Sequence, residues 1–105
     1  MKRTVTAALV YDALSRVEDP ELGIDVVNLG LIYEVSLDGR AVTLLMTLTT
    51  IGCPAAEELE LRAREEVGAL EGVDRVEVKW TFDPPWSPDR ITEEGRDHLM
   101  ALGYL

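Results

Sequence analysis

The chain of 105 residues has one cysteine, Cys53, and one histidine, His98. A single thiol forms no disulfide within the chain, and it falls short of the about four ligands that zinc or an iron–sulfur cluster requires. A cluster held through Cys53 would have to be shared between chains. Basic residues are also scarce, 10 against 20 acidic ones, which leaves a net charge of −10. Such a field repels phosphate backbones and anionic lipid, so neither nucleic acid nor a membrane is an expected partner. The acidic surface favours basic proteins or cations, or serves only to keep the domain soluble. No apolar run approaches the about 20 residues that cross a bilayer, and the charged and then apolar start of a secretory leader is not seen. Together with the lack of disulfides, this leads to the expectation of a cytoplasmic protein. The chain also has no glycine-rich fingerprint for dinucleotides and no phosphate-binding loop with its lysine, so a nucleotide-dependent reductase or kinase finds no support.

What is present fits one domain over residues 1–105, with an ordinary apolar content of 47%. Apolar positions from Val5 to Leu14 (Val5, Ala8, Leu9, Ala13 and Leu14, with Tyr11 offset) predict an amphipathic helix over 4–17, capped by Thr4 or Thr6. Glu18-Asp19-Pro20 ends it. Residues 21–30 read as a loop with two glycines and a short turn near Val26-Val27-Asn28. The strongest local signal follows: two β-branched, apolar runs, 31–37 and 41–48, flank the turn pair Asp38-Gly39. A helix is predicted over 55–70, with Pro54 suited to its first position, Glu57 and Glu58 at its positive end, and Leu59, Val67 and Leu70 on one face. A third strand over 73–82 alternates Val76, Val78 and Trp80, a proline-stiffened segment runs from Pro84 to Ile91, and a last helix from Thr92 closes at Gly103. The order α-β-β-α-β-α predicts an α+β, two-layer domain with a small mixed three-stranded sheet and helices mostly on one face.

Cys53 sits between Gly52 and Pro54 just where the central helix begins. A helix N-terminus stabilises a thiolate, whereas Glu57 and Glu58 one turn on disfavour a second negative charge, so the direction of the net effect is open. A reactive thiol and a buried cysteine filling a gap between strand and helix both fit this position. A cysteine–histidine hydrolase would need His98 within reach, and His98 is as readily a surface residue near a helix end.

Three blocks then act together. Asp19-Pro20-Glu21 with residues 24–32, Met46 to Pro54, and Trp80 to Trp86 with Ile91 to Arg96 resemble the MIP18 family in order and spacing over essentially the whole chain. This family, long called a domain of unknown function, includes accessory proteins of bacterial iron–sulfur cluster assembly. The resemblance implies the iron–sulfur assembly domain fold and a role in maturing iron–sulfur proteins. It implies Cys53 as reactive or cluster-ligating thiol, with Asp19, Glu21, Asn28, Thr49 and Thr50 as its supporting residues, and Trp86 and Arg96 shaping the proline segment as a partner surface. Each also has a structural reading: Asp19 fixing the turn before Pro20, Asn28 satisfying loop backbone, the threonines ending a strand, and Trp86 plugging the core. A branch serving the phenylacetyl-CoA oxygenase system carries further cysteines after this core, and this chain has none there.

The expected function is thus a non-enzymatic factor for cluster assembly or transfer, acting through Cys53 on carrier or client proteins. No stably bound cofactor is expected beyond a transient iron–sulfur cluster, and a homodimer would bring two thiolates together. The alternatives are an interaction adaptor, or an oxygenase accessory, with a structural cysteine, and a thiol enzyme.

Overall fold

In the computed structural model, which describes residues 5–20, 23–49 and 55–103, the hairpin forms the centre of the fold. Strands β1 (Ile32–Asp38) and β2 (Ala41–Met46) pair antiparallel, with Asp38 opposite Ala41. The connection is therefore Gly39-Arg40, one residue later than the Asp38-Gly39 pair. Gly39 has φ 60° and among the described residues none other than glycine has positive φ, which is the pattern of a type II′ turn with glycine first. From β2 the chain crosses through α2 (Ala56–Gly68) to β3 (Arg75–Trp80), which pairs with β2 in parallel. A parallel neighbour requires such a crossover, and it leaves β2 in the middle of the order β1-β2-β3.

One face of this mixed sheet carries the core. Val42, Leu44 and Met46 of β2 are fully buried, and the register brings Val35 and Leu37 on one side, and Val76, Val78 and Trp80 on the other, onto the same face. Helix α1 (Ala7–Leu14) covers that face with Val10, Ala13 and Leu14, and α2 with Leu59, Ala63 and Val67. The opposite face shows Glu34, Ser36, Glu77 and Lys79 to solvent. Arg16 links the two helices: its Nε donates to Glu66 at 3.0 Å and its second nitrogen to Asp12 at 3.1 Å. The bond to Glu66, then that to Asp12, raises the guanidinium pKa further above its usual value.

The α+β order matches the expectation, and the differences have local causes. In α1 Val10 is fully buried alongside Ala13 and Leu14 while Ala8 faces solvent, because the stripe that reaches the core is 10, 13, 14 and, beyond the helix, Val17. Strand β2 ends at Met46, although Thr47 and Leu48 continue buried. Thr6 caps α1 by accepting from the Leu9 amide at 3.2 Å. Thr92 caps α3 (Glu93–Leu102) by accepting from Gly95 at 3.0 Å, and Gly103 closes that helix in the left-handed conformation. The N-cap of α2 is Ala55, and the expected role of Pro54 lies outside the described residues. Among the described residues no helix is long and apolar enough to cross a membrane.

Candidate functional site

Because β3 runs parallel to β2 and β1 antiparallel to it, the ends of β2 and β3 and the start of β1 meet at one edge of the sheet. Backbone bonds extend this edge sideways. The amide of Thr47 donates to the Leu31 carbonyl at 2.9 Å, Leu31 to Val26 at 3.0 Å, and Val26 to Val17 at 2.9 Å. The Asp19 turn, the Val26–Leu31 loop and the end of β2 thus form one row. From its β2 end departs the connection that carries Cys53. Cys53, Thr50 and Glu21 themselves lie outside the described residues.

The other expected site residues fall into two groups. Asp19 is only 5% exposed, and its backbone forms the turn, donating to the Ile24 carbonyl at 2.9 Å and accepting from Gly23 at 2.8 Å. Thr49 is half-buried, three residues beyond the end of β2. Between them in the row stands a residue that sequence reading passed over. Thr47 is fully buried, and among the described residues its Oγ1 is the one buried side-chain polar atom without a hydrogen-bond partner. Leaving such an oxygen unpaired costs about 1–3 kcal/mol.

Asn28, Trp86 and Arg96 belong to the second group, which ties the 24–30 loop to the proline segment. The Asn28 amide nitrogen donates to Asp25 Oδ1 at 2.6 Å, and its Oδ1 accepts from the Thr92 hydroxyl at 2.5 Å. Its backbone carbonyl accepts from the Thr92 amide at 2.9 Å. The Trp86 indole donates to the Leu29 carbonyl at 2.7 Å with its ring half-buried against the core, and Arg96 donates to the Pro88 carbonyl at 2.9 Å. Two further members were not foreseen. A register break between Ile32 and Glu34 re-aims Tyr33, whose hydroxyl donates to the Pro84 carbonyl at 2.7 Å. Arg90 stacks 4.0 Å over that ring and donates to the Gly30 carbonyl at 3.2 Å. Gly30 has φ 77°, and a Cβ there would collide with the Arg90 carbonyl and lie 2.7 Å from its Cβ.

His98 is exposed on α3, where it lines a shallow cleft with Ser15, Glu18, Asp25 and Glu94. Among the described residues no three histidine, cysteine, aspartate or glutamate side chains gather into a group able to hold a metal ion.

A family model described as iron–sulfur cluster assembly protein matches residues 7–80. The chain belongs to this family, the one formerly known as a domain of unknown function and also called MIP18. It is similar to the Fe-S protein maturation auxiliary factor YitW of Bacillus subtilis, 39% identical over 95 residues and covering 90% of both chains. It is also similar to the Fe-S protein maturation auxiliary factor SufT of Staphylococcus aureus, 39% identical over 86 residues, 81% of this chain and 94% of the relative. Among solved structures, a conserved hypothetical protein of Thermotoga maritima superposes with a TM-score of 0.80 at 47% identity, covering 92% of this chain and 96% of the other.

Proposed function

We propose that the chain is an accessory factor in the maturation of iron–sulfur proteins, acting through Cys53 and without catalysing a reaction of its own. The observation that carries this reading is the full-length similarity to relatives named maturation auxiliary factors, covering 90% of both chains in the Bacillus case. That name supports an auxiliary rather than enzymatic role and favours it over an oxygenase accessory. A cytoplasmic setting is part of the proposal.

The geometry fits such a role. Cys53 belongs to the connection that leaves the sheet edge where Asp19 is buried and where Thr47 holds an unpaired hydroxyl. An iron–sulfur cluster here is cargo. One thiolate per chain satisfies about a quarter of the cysteine ligands a cluster takes, so a cluster on Cys53 is completed by a second copy or by a carrier protein, and is released when that partner leaves. Asp19, Glu21, Asn28, Thr49 and Thr50 support the thiol in this reading, Asn28 through the loop it fixes.

The test is iron and sulfide content per chain after anaerobic reconstitution of the natural protein and of Cys53→Ser, with the oligomeric state recorded for both. Loading that disappears in the serine variant is the expected result. Equal loading of both proteins, or none in either, sinks the role of Cys53 as ligand.

A further inference from the structure

We propose that the outer edge of β3, with the groove beside it, docks an extended basic segment of a partner protein by strand addition. In a parallel pair alternate residues bond to one neighbour. The amide of Arg75 donates to the Arg40 carbonyl and that of Thr81 to Met46, so the odd-numbered residues of this stretch face β2. Val76, Val78 and Trp80 therefore direct their backbone groups away from the sheet. The Val76 carbonyl confirms the phase, because it accepts from the Arg64 guanidinium of α2. Proteins commonly blunt an edge strand with a charged side chain or cover. Here Arg64 blunts the first position, the exposed Lys79 lies on the sheet face opposite Val78 and Trp80, and no described strand pairs with Val78 or Trp80.

Beside that open stretch lies a groove lined by Ala56, Glu57, Glu60, Leu61, Arg64 and Trp80. Leu61 is 57% exposed, and the Trp80 indole is held in place by donating to Glu60 Oε1 at 2.8 Å. These two side chains give the groove an apolar floor, which suits one alternate side chain of an added strand.

Charge selects the occupant. Arg64 is engaged by Glu60 at 3.3 Å, whereas Glu57 has no ion-pair partner among the described residues. With a net charge of −10, the field favours at this edge a segment bearing lysine or arginine over the equally acidic edge of a second copy. The inference rests on the reading that this chain serves other proteins, and it adds where they bind. Ala56, which lines the groove, is three residues from Cys53 in the sequence.

The probe is a short synthetic peptide of alternating lysine and valine, with a glutamate–valine peptide as control, titrated into the full chain and followed by amide and indole NMR shifts. The lysine peptide is expected to shift the Val78 and Trp80 amides and the Trp80 indole, and Leu61→Lys and Glu57→Lys each weaken it at least about tenfold. Both positions are solvent-exposed, so these variants retain the fold. Equal binding of the two peptides, undiminished binding by Leu61→Lys, or no binding at all overturns the proposal. So does a dimer that Leu61→Lys dissolves, because the edge then belongs to a second copy. Peptide binding is expected to survive Cys53→Ser, and cluster loading to survive Leu61→Lys, so failure of the docking edge and failure of the thiol reading are told apart.

Discussion

At the start of α3, Thr92 accepts from the Gly95 amide, and Asn28 clasps Thr92 through side chain and backbone. At the start of α2, Ala55 offers no side-chain oxygen, and its backbone is already helical at φ −80° and ψ −5°, where Thr92 is extended. Close to the α3 start the loop polar groups are paired across the fold; at the end of β2, before the cysteine connection, the Thr47 hydroxyl is not. The lesson is one of division of labour. The fold pairs its polar groups where the proline segment is held, and leaves the Thr47 hydroxyl unpaired at the end of β2, the kind of local exception that the proposed role of this edge would account for.

The strongest way to break this contrast is at Gly30. Gly30→Ala adds left-handed strain and a collision with Arg90, and should lose about 3 kcal/mol or more in urea unfolding. Asn28→Ala removes the clasp on Thr92 and should cost about 2 kcal/mol by the same measurement, a value near zero showing that the staple is decorative. Thr47→Val goes the other way. It keeps the volume, removes the unpaired hydroxyl, and should raise stability by about 1 kcal/mol. If the hydroxyl serves the site, the same variant also lowers cluster loading; stabilisation with unchanged loading would make Thr47 a tolerated defect.

These contrasts mark what a sequence reveals. The hairpin, the α1 cap offered as Thr4 or Thr6, the start of the last helix at Thr92 and the Gly103 stop are local patterns spanning a few residues, and each was legible, the hairpin turn to within one residue. The α1 stripe was half legible: a small residue such as Ala8 sits equally well in or out, so only the tertiary packing chose Val10. Asn28 was legible as a residue able to donate and accept across a loop, but its partner stands 64 residues away. Trp86 and Leu29 are 57 apart, and no period or motif links such positions. Nor does alternation reveal that Tyr33 sits at a register break, or that Thr47 lacks a partner, since both depend on which backbone happens to pass nearby. For the proposed site, the family resemblance rather than spacing singled out Asp19, Glu21, Asn28, Thr49 and Thr50 as companions of Cys53.

Helix α3 touches the rest of the molecule chiefly through the 24–30 loop: Gly95 lies against Asn28 and Ile24, and Thr92 is bonded to Asn28. Leu99 of α3 and Ile91 before it join the same buried cluster as the sheet, α1 and α2. The helix nonetheless packs against loops rather than against a strand or another helix, so it is expected to open as a unit while β2 stays paired. In hydrogen exchange its amides would open through a shallower, partial fluctuation than those of the central strand, making this last helix a latch whose release leaves the scaffold intact.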